Sequence, residues 1–266
     1  MNNIKLYIKF IKILLQTKME YKFSFISDLI VNMLIYVFRY LGIWILLNKF
    51  VSIAGWNYSE IMFIFNLHLI SYGIAGMFIW TPMRSIEGMV QNGSFDSMLI
   101  YPISPFLHVI FKNFQYTFLG QFIIGIVSFS ISCVDLHITF NVIKLFWLLA
   151  NILGGVLILS AIMILTASIS FWITQSNALV NAFIQFRKFI DYPLVIYDKW
   201  IQVLLTFILP YAFINYYPAY QFIQNKQDIL FHASFQYLTP LVGVLFFALS
   251  LSVWQAGIKQ YNSTGS

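Results

Sequence analysis

Charge is what this chain has least of. Of its 266 residues only 9% are Asp, Glu, Lys or Arg, where a soluble domain carries about 25%. Hydrophobic residues make up 60% and the mean hydropathy is +0.81. So small a polar supply cannot cover a water-facing surface, so the outside must face lipid. One cysteine, Cys133, excludes an intrachain disulfide and carries no metal or redox signature. There is no G-x-x-x-x-G-K-[ST] phosphate loop and no Gly-Lys dipeptide, so no nucleotide site is expected in this chain. No His, Cys or carboxylate cluster has metal-ligand spacing; His108, His137 and His232 stand isolated. The expectation is a chain that is not itself an enzyme and holds no metal or cofactor of its own. In residues 1–22 Lys interrupts the apolar residues too often for a cleavable signal peptide.

What is present is a series of long apolar runs. They predict an all-α integral membrane protein with six transmembrane helices, five of them over about 23–50, 60–80, 107–133, 142–173 and 235–254 and the remaining one within 177–220. Trp56 and Trp80 fall at interface depth. Gly154 and Gly155, adjacent inside the fourth run, mark a close helix approach or a kink. The fifth span has two readings. Hydropathy favours "WIQVLLTFILPYAFINYYPAY", which Pro210 and Pro218 interrupt; the other reading puts the span at 177–195, despite Arg187 and Lys188, and makes 199–226 a pair of short helices dipping back from the far side. Ahead of the spans, residues 3–20 read as an amphipathic interfacial helix. Ile4, Tyr7, Ile8, Ile11, Leu14 and Leu15 recur at helical spacing, with Lys5, Lys9, Lys12 and Gln16 opposite.

Six spans put both ends on one side. Lys5, Lys9, Lys12, Lys18, Lys22, Arg84, Lys112 and Lys259 lie on that side, and Lys49, Lys144, Lys199 and Lys226 on the other. The bias predicts cytoplasmic termini in the plasma membrane. The net charge of +6 is thus a membrane signal and not a nucleic-acid one. Ser24, Asp28, Asn32, Tyr36 and Arg39 form one polar stripe along the first span, and Asn66, His68 and Tyr72 can join the same surface. Such a stripe must face protein or water. It reads as part of a translocation path (Asn32, Tyr36, Arg39, Asn66, His68) or as hydrogen bonding between helices.

Between the second and third spans, "RSIEGMVQNGSFDSMLIYPISP" mixes charge, Gly and Pro. Pro82 precedes a helical stretch, Gly93 closes it as a C-cap would, and Pro102 and Pro105 end the second short turn, "SFDSML". A connector needs only about 2 to 8 residues; this longer element, with apolar and acidic side chains, predicts a docking surface for a soluble partner. Here the chain resembles the half-size, six-span permease subunits of type-2 ABC exporters. The resemblance lies in "IEGMVQNGSFDSMLIYPISP" and continues in "YPLVIYDKW" and "LPYAFINYYPA". It implies a cytoplasmic coupling helix in 84–102, with Ile86, Glu87, Gly88, Gly93, Phe95, Asp96 and Leu99 meeting an ATP-binding-cassette ATPase subunit. That subunit would bind the ATP and Mg. It also implies an outer re-entrant turn at Pro210, Asn215 and Pro218, which favours the fifth span at 177–195, and a second permease, identical or related, in the same lipid bilayer. The expected function is outward movement of a substrate driven by the partner's ATP hydrolysis. Two other classes compete. An ion-coupled secondary transporter shows internal repeats and more spans. An intramembrane lipid-modifying enzyme needs a catalytic constellation inside the spans.

Overall fold

The computed structural model of the chain describes residues 3–50, 52–173, 176–223 and 229–262, and not the side chains of 3–8, 10, 112, 177 and 179. Lys226 and the last three positions of the expected 199–226 region lie outside the described residues, as do the side chains of Ile4, Lys5, Tyr7 and Ile8. Among the described residues there is no β-strand, only an isolated bridge between Ile53 and Trp56. The helices are α1 (Asn3–Glu20), α2 (Lys22–Lys49), α3 (Tyr58–Ala75), α4 (Thr81–Gln91), α5 (Ser94–Leu99), α6 (Pro105–Lys112), α7 (Phe118–Asp135), α8 (Val142–Ser168), α9 (Asn177–Gln185), α10 (Lys199–Val203), α11 (Tyr216–Ala219) and α12 (Thr239–Gln260).

Local sequence sets the helix starts. Asn57 and Glu60 form a reciprocal capping box at α3. The Asn141 side chain accepts from the Lys144 N–H at α8. Proline occupies the first turn of α4, α6 and α12, where its missing N–H is harmless. Among the described residues five helices are long and apolar enough to cross a membrane, or six if the bent pair Lys199–Ile208 and Tyr211–Ala219 counts as one. The chain is an all-α integral membrane protein.

Burial orders these helices. α3 is enclosed along nearly its whole length, with α7 and α8 against it, α12 against α8 and α2 against α7. α2 buries little beyond Tyr36, Ile43 and Leu47 and leaves a broad apolar face outside, the pattern of a helix in lipid. The glycine pair acts as expected. A Cβ on Gly154 would stand 2.7 Å from the Thr239 carbonyl oxygen, and one on Gly155 2.8 Å from Ser71 Oγ. These glycines let α8 touch α12 on one side and α3 on the other.

Four expectations are revised. The second span and the segment after it are one rod, Tyr58–Gln91, 34 residues long, or about 51 Å at the α-helical rise. A π turn at Gly76–Trp80 stands just ahead of Pro82. The extra residue it inserts takes up the proline ring, which would otherwise end the helix. It also frees the Met77 carbonyl, which accepts from the Gln115 N–H at 2.9 Å. That bond helps explain the second revision: the expected span at 107–133 is divided, with α6 separated from α7 by residues 113–117, and Gln115 tied also to Thr81 and Thr117. Third, no single helix covers 177–195. α9 has nine residues and passes into a 3-10 stretch, Phe186–Asp191. Fourth, the last span begins at Thr239 and continues to Gln260, with a 3-10 turn at Ala233–Tyr237 before it. Trp56 is buried against Tyr216 and Tyr220.

Candidate functional site

The polar stripe on α2 is met by protein. Tyr36 Oη donates to Gln121 Oε1 of α7 at 2.5 Å. The Tyr116 hydroxyl donates to Asp28 Oδ2 at 2.5 Å. Asn32 Nδ2 turns back to the Asp28 carbonyl of its own helix. One turn beyond Tyr36, Arg39 Nη1 reaches Asp191 Oδ2 at 3.3 Å.

Asp191 is the hub of a mid-bundle cluster. His68 Nδ1, on the enclosed α3, lies 3.3 Å from Asp191 Oδ1, in ion-pair range but out of line for a hydrogen bond. His68 Nε2 is 3.4 Å from Arg187 Nη1. The Arg187 guanidinium lies 3.7 Å above the Tyr72 ring centroid, a cation–π stack that substitutes for lost hydration. Local chain geometry brings these groups together. Arg187 and Asp191 stand four apart in "FRKFID", on the 3-10 stretch after α9. That stretch is tied down by Asn215, whose Nδ2 donates to the carbonyls of Ile190 at 2.7 Å and of Ile64 in α3 at 3.2 Å. Charged groups at this depth are costly unless paired or stacked, and each one here has such a contact.

The candidate residues therefore separate. Arg39 and His68 meet in the Asp191 cluster. Asn66 belongs to another group: its Oδ1 accepts from the Tyr40 hydroxyl at 2.6 Å, and its Nδ2 donates to Ser128 and Ser132 at 3.1 and 3.2 Å. That is a satisfied buried amide joining α2, α3 and α7. Tyr36 abuts the cluster through its ring, 5.6 Å from the Arg39 guanidinium. Pro210 lies in the 76° bend between Lys199–Ile208 and Tyr211–Ala219, and Asn215 and Pro218 lie in the second of these segments. Side chains support this irregular backbone: Thr206 and Tyr217 pair at 2.8 Å, and Thr239 Oγ1 donates to the Phe213 carbonyl at 2.6 Å. The residue that sequence reasoning missed is Asp191. The signal was present, since two cations and an acid within five residues of an apolar stretch demand a partner.

At the end of the bundle where α12 finishes, α4 and α5 form an element with two faces. Met83, Ile86, Glu87 and Val90 follow the 3–4 spacing of one helix face and are buried within the chain, as are Phe95 and Met98. Phe95 packs at 5.1 Å from Phe171 and 5.3 Å from Tyr261. Burial, and then the neighbouring Asp96 carboxylate, push the Tyr261 phenol up to about 12. Glu87 accepts from Ser176 Oγ at 2.9 Å and from Gln91 Nε2 at 3.1 Å, and Ser176 pairs with Ser170 at 2.8 Å. Of the seven residues expected to meet a partner, Ile86, Glu87 and Phe95 thus turn inward, because they share the face that seals the rod against the ends of α8 and α12. Asp96 and Gly93 are half-buried, and Gly93 adopts the left-handed conformation, φ +69°, that reverses the chain between α4 and α5. Gly88 and Leu99 are exposed, together with Arg84, Gln91, Ile100 and Tyr101.

A family profile described as "ABC-2 family transporter protein" matches residues 33–265 of the chain. No curated protein matches it.

Proposed function

The chain belongs to the ABC-2 family of transporter proteins, and from that premise we propose that it is the permease subunit of an ATP-binding-cassette exporter. It moves cargo outward across the plasma membrane with ATP hydrolysed, together with Mg, on a separate subunit. It works beside a second permease, identical or related, with both termini cytoplasmic. In this reading the fifth crossing is 177–195. α9 and the 3-10 stretch after it together reach about 26 Å, near the thickness of the hydrocarbon core of about 30 Å. The bent pair beyond it is then the outer re-entrant turn.

The observation that carries the proposal is the continuous rod Tyr58–Gln91. Its buried half holds His68 in the Asp191 cluster, and its far end presents Arg84, Gly88 and Gln91 to the outside. The two lie about 30 Å apart along one helix. A displacement at the exposed end therefore reaches the cluster without crossing a loop. Phe95, Glu87 and Tyr261 fasten the same end to α8, α9 and α12, so the element moves with the bundle.

Gly88 provides the test. A Cβ there meets nothing within 4 Å and the position is exposed, so the side chain of Gly88→Trp starts into open space, where it would obstruct a partner's groove. Copurified ATPase should fall about tenfold or more, which corresponds to at least about 1.4 kcal/mol of docking energy, with the permease's own melting not lowered. Full recovery of the ATPase with Gly88→Trp would overturn docking at this face.

A further inference from the structure

The Asp191 cluster carries more positive charge than it can neutralise. Arg39 and Arg187 remain cationic, since a guanidinium cannot shed its proton in a protein. Among the described residues the ion pairs that involve this cluster both go to Asp191, one from Arg39 and one from His68. Arg187 makes none. Its Nε is enclosed and has no hydrogen-bond partner, and neither has His68 Nδ1. Even with His68 neutral, one unit of positive charge is left over in the middle of an apolar bundle. An uncompensated charge at that depth is expensive, and a guanidinium with a free edge is the group best shaped for a phosphate or carboxylate.

Access to the cluster is from α2. The Arg39 side chain is 33% exposed, on the border between the buried and outer faces of the helix. The exposed residues near it on α2 include Ile35, Phe38 and Leu41, all apolar. A group arriving there comes with hydrocarbon around it.

We propose that Arg39 and Arg187 receive the anionic headgroup of an amphiphile, a phosphate or carboxylate whose apolar tail lies along the outer face of α2. This rests on the permease reading and names the class of cargo it handles. Tyr72 orients Arg187 by stacking, and Asn215 holds the turn that carries Arg187 and Asp191. Asp191 anchors Arg39 at 3.3 Å and sets the surplus at a single charge.

The test uses the purified full chain in an uncharged detergent, titrated with dodecyl phosphate, dodecylphosphocholine or inorganic phosphate, with thermal melting as readout. Dodecyl phosphate should raise the melting temperature saturably, and the other two should not. Arg39→Gln removes the surplus charge and should weaken the effect about tenfold or more; Arg39→Lys should retain most of it. Asp191→Asn breaks the same ion pair as Arg39→Gln but adds to the surplus, so it should strengthen the effect. Equal weakening by Arg39→Gln and Asp191→Asn would show a merely structural ion pair and overturn the proposal. So would equal stabilisation by dodecylphosphocholine. An equal effect of inorganic phosphate would overturn the amphiphile. If Asp191→Asn does not fold, the contrast between Arg39→Gln and Arg39→Lys decides. Copurification of an ATPase with the wild-type chain is scored separately: its absence beside normal anion binding sinks only the permease reading, and its presence without anion binding sinks only the site.

Discussion

Replacing Gly154 by alanine should loosen α8 from α12. The added Cβ would stand 2.7 Å from the carbonyl oxygen of Thr239 and 2.9 Å from its carbonyl carbon. The reciprocal change, Gly243→Ala, would bring a Cβ to 2.6 Å from the Gly154 carbonyl oxygen. These obstacles are backbone, with no rotamer to turn aside. Ordinary contact begins at 3.4 Å, so the helices must part by about 0.7 Å along that line. Overpacking of this kind costs about 1–3 kcal/mol. Alanine returns about 0.5–1 kcal/mol through better helix propensity, leaving a net loss of about 1 kcal/mol at mid-range and at most about 2.5 kcal/mol. The strain extends further, because Thr239 also holds the Phe213 carbonyl and through it the bend that places Asn215. Gly88→Ala is the internal control. With nothing within 4 Å of its Cβ, it should be stabilised by about 0.5–1 kcal/mol. Thermal melting of the three purified variants in one detergent reads both signs at once. A Gly154→Ala protein that melts at or above wild type, while Gly88→Ala rises as expected, would refute the close α8–α12 contact.

Burial and topology give two further outcomes. Glu87→Lys puts a cation where a buried carboxylate accepts two hydrogen bonds; it should lower yield and stability by about 3–5 kcal/mol, whereas Glu87→Gln should cost about 1–2 kcal/mol. Wild-type melting of Glu87→Lys would place that side chain outside. In a Cys133→Ser background, Trp200→Cys should react with an impermeant thiol reagent from outside and Trp172→Cys only from inside, both tryptophans being exposed; labelling of position 200 from the cytoplasm would make the bent pair the fifth crossing.

Composition alone settled the solvent. A chain with 9% charged residues has no way to cover a water-facing surface, and that holds whatever its fold. The long apolar runs overlap α2, α3 and α8, and Gly154 and Gly155 announced a close approach without naming α12 or α3 as the neighbours. Periodicity also showed that Asn32, Tyr36 and Arg39 share a face. What stands opposite that face is a matter of contacts between residues far apart in the chain, such as Arg39 with Asp191, 152 positions on. One-dimensional spacing carries no information about them. The same limit hid the inward turn of Glu87, since an acid on an amphipathic segment reads as exposed until Ser176 is seen against it. It hid the break at 113–117 as well, because the carbonyl that holds Gln115 is freed by a π turn about forty residues earlier. Local preference chose the helices; the pairing of buried polar groups, each needing a partner in a medium without water, decided how they meet.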